Sequence, residues 1–411
     1  MKRMLAWIAV ASFAAAEEWQ APKNTNAALG YWRAFSLMKD LPTDEKTSAL
    51  LANVLSGKAA WDEETLGKVV DENQAAISQM RRASRLPDCC FGLDYDEGAS
   101  MLLPHLAKAR ALGKLNVLSA RRAAAEGRTR EAIDALVAGL RFAEHFQRDG
   151  TLITALVARA IMGSHLRPLL AMVGEGKLSA DDLAAVQAGA RAMAPYGFDW
   201  GAVIASEKTC FASEWKKILE SNDPVKVLDE GGLFNGQKAT LADLAGGKAS
   251  AEAVKEFGDQ WHMDPKDLND AEKVKEYLRE SLREYDALID EEASAMRLPY
   301  YEARDRLAGT DQEVPKKGIV VQIMMPAIGA ANRTRGECEA DRAGLIALSA
   351  LAAYRLKNGK DAETLDGLDV PTDPYSGKAF DLAKTDDGIE VRSAGKTSED
   401  PPQPIVYRLR K

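Results

Sequence analysis

The chain has 411 residues, a formal net charge of −8, 46% hydrophobic residues and only 7% aromatics. An acidic balance disfavours nucleic acid and anionic membrane surfaces, because both select a positive partner surface. Abundant Ala and Leu with few β-branched runs predict a mostly helical protein.

The N-terminus reads as a cleavable secretory signal peptide, residues 1–16. Lys2 and Arg3 form a positive start, Met4 to Ala16 is an uncharged run, and Ala14-Ala15-Ala16 supplies small residues before Glu17-Glu18. Thirteen uncharged residues fall short of the ~20 needed to span a bilayer as helix. The expectation is therefore an exported protein: periplasmic, cell-envelope or secreted, with no integral membrane span after cleavage. The remaining length suits two or three domains at about 100–200 residues each.

Residues 17–195 predict a helical domain. Asp62 opens a helix with Leu66, Val69, Val70, Ile77 and Met80 at 3- and 4-residue spacing. A turn-rich stretch, Pro87 to Gly98, separates it from a long run to Ala125. Glu126-Gly127-Arg128 then breaks the chain before a helix carrying Ile133, Leu136, Val137, Leu140 and Phe146 inward. Thr151 to Val173 is apolar and contains Pro168, a potential kink. Ser179-Ala180-Asp181-Asp182 is a capping signal for the next helix.

Residues 196–317 predict a polar helical middle region. Phe234-Asn235-Gly236 and Gly246-Gly247 mark loops, and densely charged Ala271 to Met296 reads as a long exposed helix. Residues 318–411 change character. Ile319 to Asn332 is an uncharged run of fourteen residues; the helix turns polar at Arg333 and apolar again from Ala343 to Tyr354. Asn358-Gly359 ends it. Alternating segments around Asp387-Gly388 predict a hairpin, and Pro404 to Leu409 a third strand. The expected fold is a repeat-like helical-hairpin body followed by a long helix plus a small antiparallel sheet.

Candidate site residues are sparse. Of His105, His145, His165 and His262, none belongs to a zinc-ligand spacing, and His105, behind Pro104, is the best functional candidate. Glu207 and Glu214 lie two turns apart and are a candidate acid/base pair, with a salt-bridged helix face beside Lys216 and Lys217 as the alternative. Asp94, Asp96 and Glu97 lack the remaining ligands of a calcium loop. No cofactor motif or metal spacing is present, so neither is expected. Cys89, Cys90, Cys210 and Cys338 admit three connectivities. In an exported protein a bridge from the Cys89-Cys90 turn to Cys210 or Cys338 is expected over a strained vicinal pair, with buried thiols as the alternative.

Three resemblances add to this. Glu126 to Ile133 looks like the turn and second helix of a tetratricopeptide repeat, present as one unit where an array needs about three. Pro326, Arg333, Arg335 and Cys338, the Ala347-to-Tyr354 stretch, Asn358-Gly359, Asp373-Pro374, Gly377, Asp386-Asp387-Gly388 and Ser393-Ala394-Gly395 occur in an order that resembles the soluble part of type IV pilins and of the major pseudopilin of type II secretion. That likeness covers roughly the last ninety residues. It implies a helix-plus-sheet module in an envelope compartment. The family's calcium loop follows Ser-x-Gly, but here Ser393 to Asp400 is short and runs into Pro401-Pro402, so no calcium is expected. Asp94 to Gly98, Leu102-Leu103-Pro104-His105-Leu106, Glu126-Gly127 and Arg148 to Ile153 resemble a family of large exported bacterial helical proteins that end in a pilin-like module and have no established activity. The resulting expectation is a non-enzymatic binding or scaffold protein with envelope protein partners. An exported hydrolase with a site in a helical groove, or a component of a secretion or pilus-like assembly, are the alternatives.

Overall fold

Capping chemistry explains most helix starts in the computed structural model, which describes residues 24–148, 150–194, 198–230, 239–397 and 401–411. The expected signal peptide 1–16, Asp149, the expected loop at Phe234-Asn235-Gly236 and Asp400 lie outside the described residues. Asn26 caps α1 (Ala27–Leu37), its Oδ1 accepting from Ala28 N at 3.0 Å. Asp44 caps α2 (Glu45–Ser56), and Asp62 caps α3 (Glu63–Ala83) through Thr65 N at 3.0 Å. α4 (His105–Ala125) and α5 (Thr129–Gln147) form the predicted hairpin. Its turn is a Schellman motif: Arg128 N donates to Ala123 O at 2.8 Å and Gly127 N to Ala124 O at 3.1 Å. Gly127 sits at φ +76°, which a side chain would resist. α6 (Leu152–Gly174) runs unbroken through Pro168, and Ser179 caps α7 (Ala180–Ala192). Each of α3 to α6 packs on its sequence neighbour, so the body is built from local helical pairs.

The middle region contributes α8 (Trp200–Glu220), α9 (Pro224–Glu230), α10 (Leu241–Ala245), α11 (Ala251–Trp261), α12 (Ala271–Ala295), α13 (Tyr300–Arg306) and α14 (Thr310–Glu313). The expectation of an exposed α12 is corrected. Val274, Leu278, Ser281, Tyr285 and Ile289 form a buried stripe packed against α8 and the final helix. Its charges occupy the outer face, as an amphipathic helix requires.

That final helix, α15 (Ile319–Asn358), is the axis of the molecule, touching α6, α7, α12 and the sheet. Its apolar start is buried inside the protein: Ile319, Val320, Val321, Met325 and Ile328 are all under 4% exposed, while Ile323 and Met324 are half-buried. Gly318 offers no side-chain cap. Three groups of α12 replace it: Glu284 Oε2 accepts from Gly318 N (2.8 Å), Tyr277 Oη from Ile319 N (3.0 Å) and Ser281 Oγ from Val320 N (3.0 Å).

β1 (Asp381–Thr385), β2 (Gly388–Lys396) and β3 (Pro404–Arg410) form an antiparallel meander in the order β1-β2-β3. Thr385 pairs with Gly388, so Asp386-Asp387 makes the turn, and Gly388 opens β2 at φ +145°. A Cβ there would lie 2.0 Å from Leu409 O, so Gly388 permits the close approach of β3. One contiguous core joins all parts, from Ala27 in α1 to Leu409 in β3. Of the described helices, α6 is long and apolar enough to cross a bilayer by length and composition, and half of that apolar window is buried in the body.

Candidate ligand cleft and the sequence-predicted residues

The structure disperses the residues singled out from sequence. His105 opens α4 at 1% exposure. Its ring stacks on Phe91 at 4.6 Å and lies 5.4 Å from Phe146 and 6.1 Å from Trp32. It is part of an aromatic core in which Tyr31 Oη and His145 Nδ1 share a 2.8 Å hydrogen bond. Burial, aided by Arg148 and Arg141, pushes His145 down to about 4. His262 ends α11 in a left-handed conformation.

Glu207 is buried on α8, and its Oε1 accepts from Leu152 N at 2.8 Å. It thereby supplies a second acceptor to the α6 N-terminus beside the Thr151 cap. Burial raises its pKa against that hydrogen bond. Glu214 faces elsewhere: it pairs with Lys217 at 3.0 Å and lies beneath the Tyr95–Ser100 turn, where a Cβ on Gly98 would come within 3.1 Å of its Oε1. The two carboxylates serve different neighbours.

The disulfide expectation is overturned, since none of the four cysteines stands at bonding distance from another. The Cys89-Cys90 turn is tied to the start of α1, Asn26 Oδ1 accepting from Cys90 N at 2.9 Å and Asn26 Nδ2 donating to Cys90 O at 3.0 Å. Cys338 is held on α6, its Sγ 3.3 Å from Met162 Sδ. Cys210 lies under the Tyr95–Ser100 turn, its carbonyl facing Gly98. Burial raises the Cys210 thiol to about 11 and the Cys338 thiol to about 12.

The structure instead assembles a site that the sequence reading missed. A cleft of about 600 Å³ opens between the C-terminal end of α3 and α5. Arg81 and Arg85 form one wall; Arg130, Glu131, Asp134 and Arg141 form the other; Ala135, Val137 and Ala138 supply an apolar floor. Arg81 is fixed from below, with Nε donating to Asn116 Oδ1 (2.8 Å) and Nη2 to Ser119 Oγ (2.9 Å). Asn116 is fully buried and donates through Nδ2 to Ala135 O at 2.8 Å and to His165 Nε2 at 3.1 Å. His165 Nδ1 meets Ile161 O at 2.7 Å. A carbonyl only accepts, so Nδ1 carries the proton and Nε2 is the acceptor for Asn116. Burial pushes His165 down to about 4, consistent with a neutral ring. The chain Ile161–His165–Asn116–Arg81–Ser119 thus links α3, α4 and α6, with Ala135 adding α5. Gly139 makes room for it: a Cβ there would lie 2.0 Å from the His165 ring.

The cleft has an excess of guanidinium charge. Arg130 pairs with Asp134 at 3.0 Å, and Glu131 pairs with Arg128 outside the cleft. Among the described residues neither Arg85 nor Arg141 has a carboxylate within ion-pair distance, and both are exposed. The sequence signals were Arg81-Arg82-x-x-Arg85 in an acidic chain and Asn116 within the apolar run Leu115 to Leu118.

The charges of α15 act as clamps between modules. Arg335 is fully buried; its Nε pairs with Glu339, and its Nη1 donates to Met296 O at 2.9 Å and its Nη2 to Leu298 O. It thus closes the C-terminal end of α12, and burial raises Glu339 to about 7 despite that partner. Arg342 Nε reaches Ala190 O at 2.8 Å at the end of α7. Tyr407 of β3 donates to Asp341 at 3.2 Å. Asp373 pins its turn to β2, accepting from Ser376 Oγ (2.8 Å), Ser393 Oγ (2.6 Å) and Ala394 N (3.0 Å). Among the described residues no group of three or more His, Cys, Asp and Glu side chains is arranged to hold a metal ion. Comparison of the chain with family models, curated proteins and solved structures finds no match in any of the three.

Proposed function

We propose that this chain is an exported envelope protein whose helical body is a non-enzymatic binding module, engaging an envelope protein partner at the α3–α5 cleft. The carrying observation is that cleft: a sizeable concavity whose wall residue Arg81 is locked by Asn116 and Ser119. A preorganised side chain binds with less loss of conformational freedom. The hydrolase alternative has less support, since His105 is packed among aromatics, Glu207 is engaged at a helix end and Glu214 pairs with Lys217. The assembly alternative is supported by the pilin-like order of motifs and by the pinning of Asp373 to Ser393 and Ala394.

The test is a photo-crosslinking residue at Arg85 or Glu131, on the exposed rim of the cleft, in protein expressed in its native envelope. Adducts at these positions, absent from an exposed site such as Lys216, support the module and identify the partner. Absence of adducts at both rim positions refutes docking at the cleft; pilins among the adducts bring the assembly reading forward. N-terminal sequencing of the same material is expected to begin at Glu17 or within a residue or two. Intact Met1 on most molecules would remove export from the proposal.

A further inference from the structure

We propose that the α3–α5 cleft is a site for a small organic ligand carrying a phosphate or diphosphate group. This rests on the reading of the cleft as a binding site, and places a small ligand in its interior beside a protein partner at its rim. Four guanidiniums and two carboxylates line it. One of those carboxylates, Glu131, is taken up by Arg128 outside the cleft. Four guanidiniums against Asp134 alone leave an excess of three positive charges, enough for a phosphate or diphosphate anion. Each guanidinium offers N–H donors in a planar fork that fits phosphate oxygens in pairs. Asn116 and Ser119 take the Nε and one Nη2 donor of Arg81, which fixes its plane and leaves the Nη1 end to meet a ligand oxygen. Arg85 and Arg141 stand on opposite walls with no carboxylate at ion-pair distance among the described residues.

The remaining geometry limits the ligand's size. A cleft of about 600 Å³ lies within the usual range for a small molecule. Its apolar floor of Ala135, Val137 and Ala138 receives an uncharged organic part. A nucleic-acid polymer is disfavoured because the chain as a whole carries −8 and the cleft itself is lined by Glu131 and Asp134.

The experiment is isothermal titration of the full mature protein with pyrophosphate at low salt, with citrate as a carboxylate comparison. The expected result is saturable one-to-one pyrophosphate binding, tighter than citrate, and weakened at least about tenfold in Arg85→Gln/Arg141→Gln. Both side chains are exposed, and circular dichroism checks that the variant keeps its fold. Lys255→Gln, on α11, is the control and should bind as wild type. No pyrophosphate binding up to about 5 mM, a millimolar ligand being near the weakest useful affinity, overturns the proposal. So does binding undiminished in the double variant, and so does citrate binding as tight as pyrophosphate. If rim crosslinks form while pyrophosphate does not bind, the ligand assignment falls and the binding module stands. If pyrophosphate binds and no crosslink forms, protein docking at the cleft falls alone.

Discussion

Gly139→Ala separates the packing role of that glycine from helix propensity, because the two effects have opposite signs. Ala in place of Gly inside a helix ordinarily gains about 0.5–1 kcal/mol. At Gly139 the new Cβ would lie 2.0 Å from His165 Cδ2 and 2.1 Å from Nε2, below any contact a Cβ tolerates. His165 is fully buried, so its ring has no open space to enter. Overpacking costs about 1–3 kcal/mol. Moving the ring also strains its hydrogen bonds to Asn116 and Ile161, and a buried polar group left unpaired costs about 1–3 kcal/mol. The net expectation is a loss of about 2–4 kcal/mol, outweighing propensity. Urea unfolding followed by far-ultraviolet circular dichroism reads this as a lower midpoint at unchanged slope. Gly258→Ala in α11 is the counterpart: nothing lies within 4 Å of its Cβ position, so it should gain about 0.5–1 kcal/mol. In a His165→Ala background the cost of Gly139→Ala should shrink by more than about 1 kcal/mol, the signature of direct contact. A Gly139→Ala protein as stable as wild type would refute the reasoning.

Arg335→Ala should destabilise by about 3–5 kcal/mol in urea, since it strands a buried Glu339 and two carbonyls at the end of α12. Arg335→Met/Glu339→Leu should recover most of that loss, and a double variant no better than the single would count against the clamp. Alkylation under denaturing, non-reducing conditions should modify all four cysteines. In the native protein exposed Cys90 should react first and buried Cys338, its thiol raised to about 12, last; a disulfide-linked peptide would show that the thiols are paired after all. His145 and His165 are held neutral, pushed to about 4 from an ordinary 6.5. Between those values the unfolded chain binds more protons than the folded one, so stability falls as pH drops through that window. The loss approaches roughly 3 kcal/mol per ring. His145→Gln should flatten the slope of unfolding free energy between pH 6.5 and 4, and an unchanged slope would mean that His145 is not buried neutral.

Some features depend on chemistry within a few residues and were legible in the chain itself. Asp62 and Ser179 cap their own helices, Gly127 and Gly359 end theirs at positive φ, and the third strand pairs as the alternation implied. Burial of the Ile319 run follows equally from composition, because so much apolar surface must leave water. The cap of that same helix was not legible. Gly318 has no side chain, and Tyr277, Ser281 and Glu284 lie more than thirty residues upstream. α12 looked exposed because charge density hides a stripe at helical spacing until a partner is known. The cysteines looked paired because compartment was weighed without distance, whereas packing on Asn26, the Tyr95–Ser100 turn and Met162 keeps them apart. The cleft depended most on tertiary structure. Arg81 and Arg141 become walls of one cavity only when α3 lies against the α4–α5 hairpin, and Arg81 is aimed only because Asn116 is itself held by His165 from a fourth helix. No local pattern encodes a convergence of four helices, because each contributes a residue that is unremarkable on its own surface.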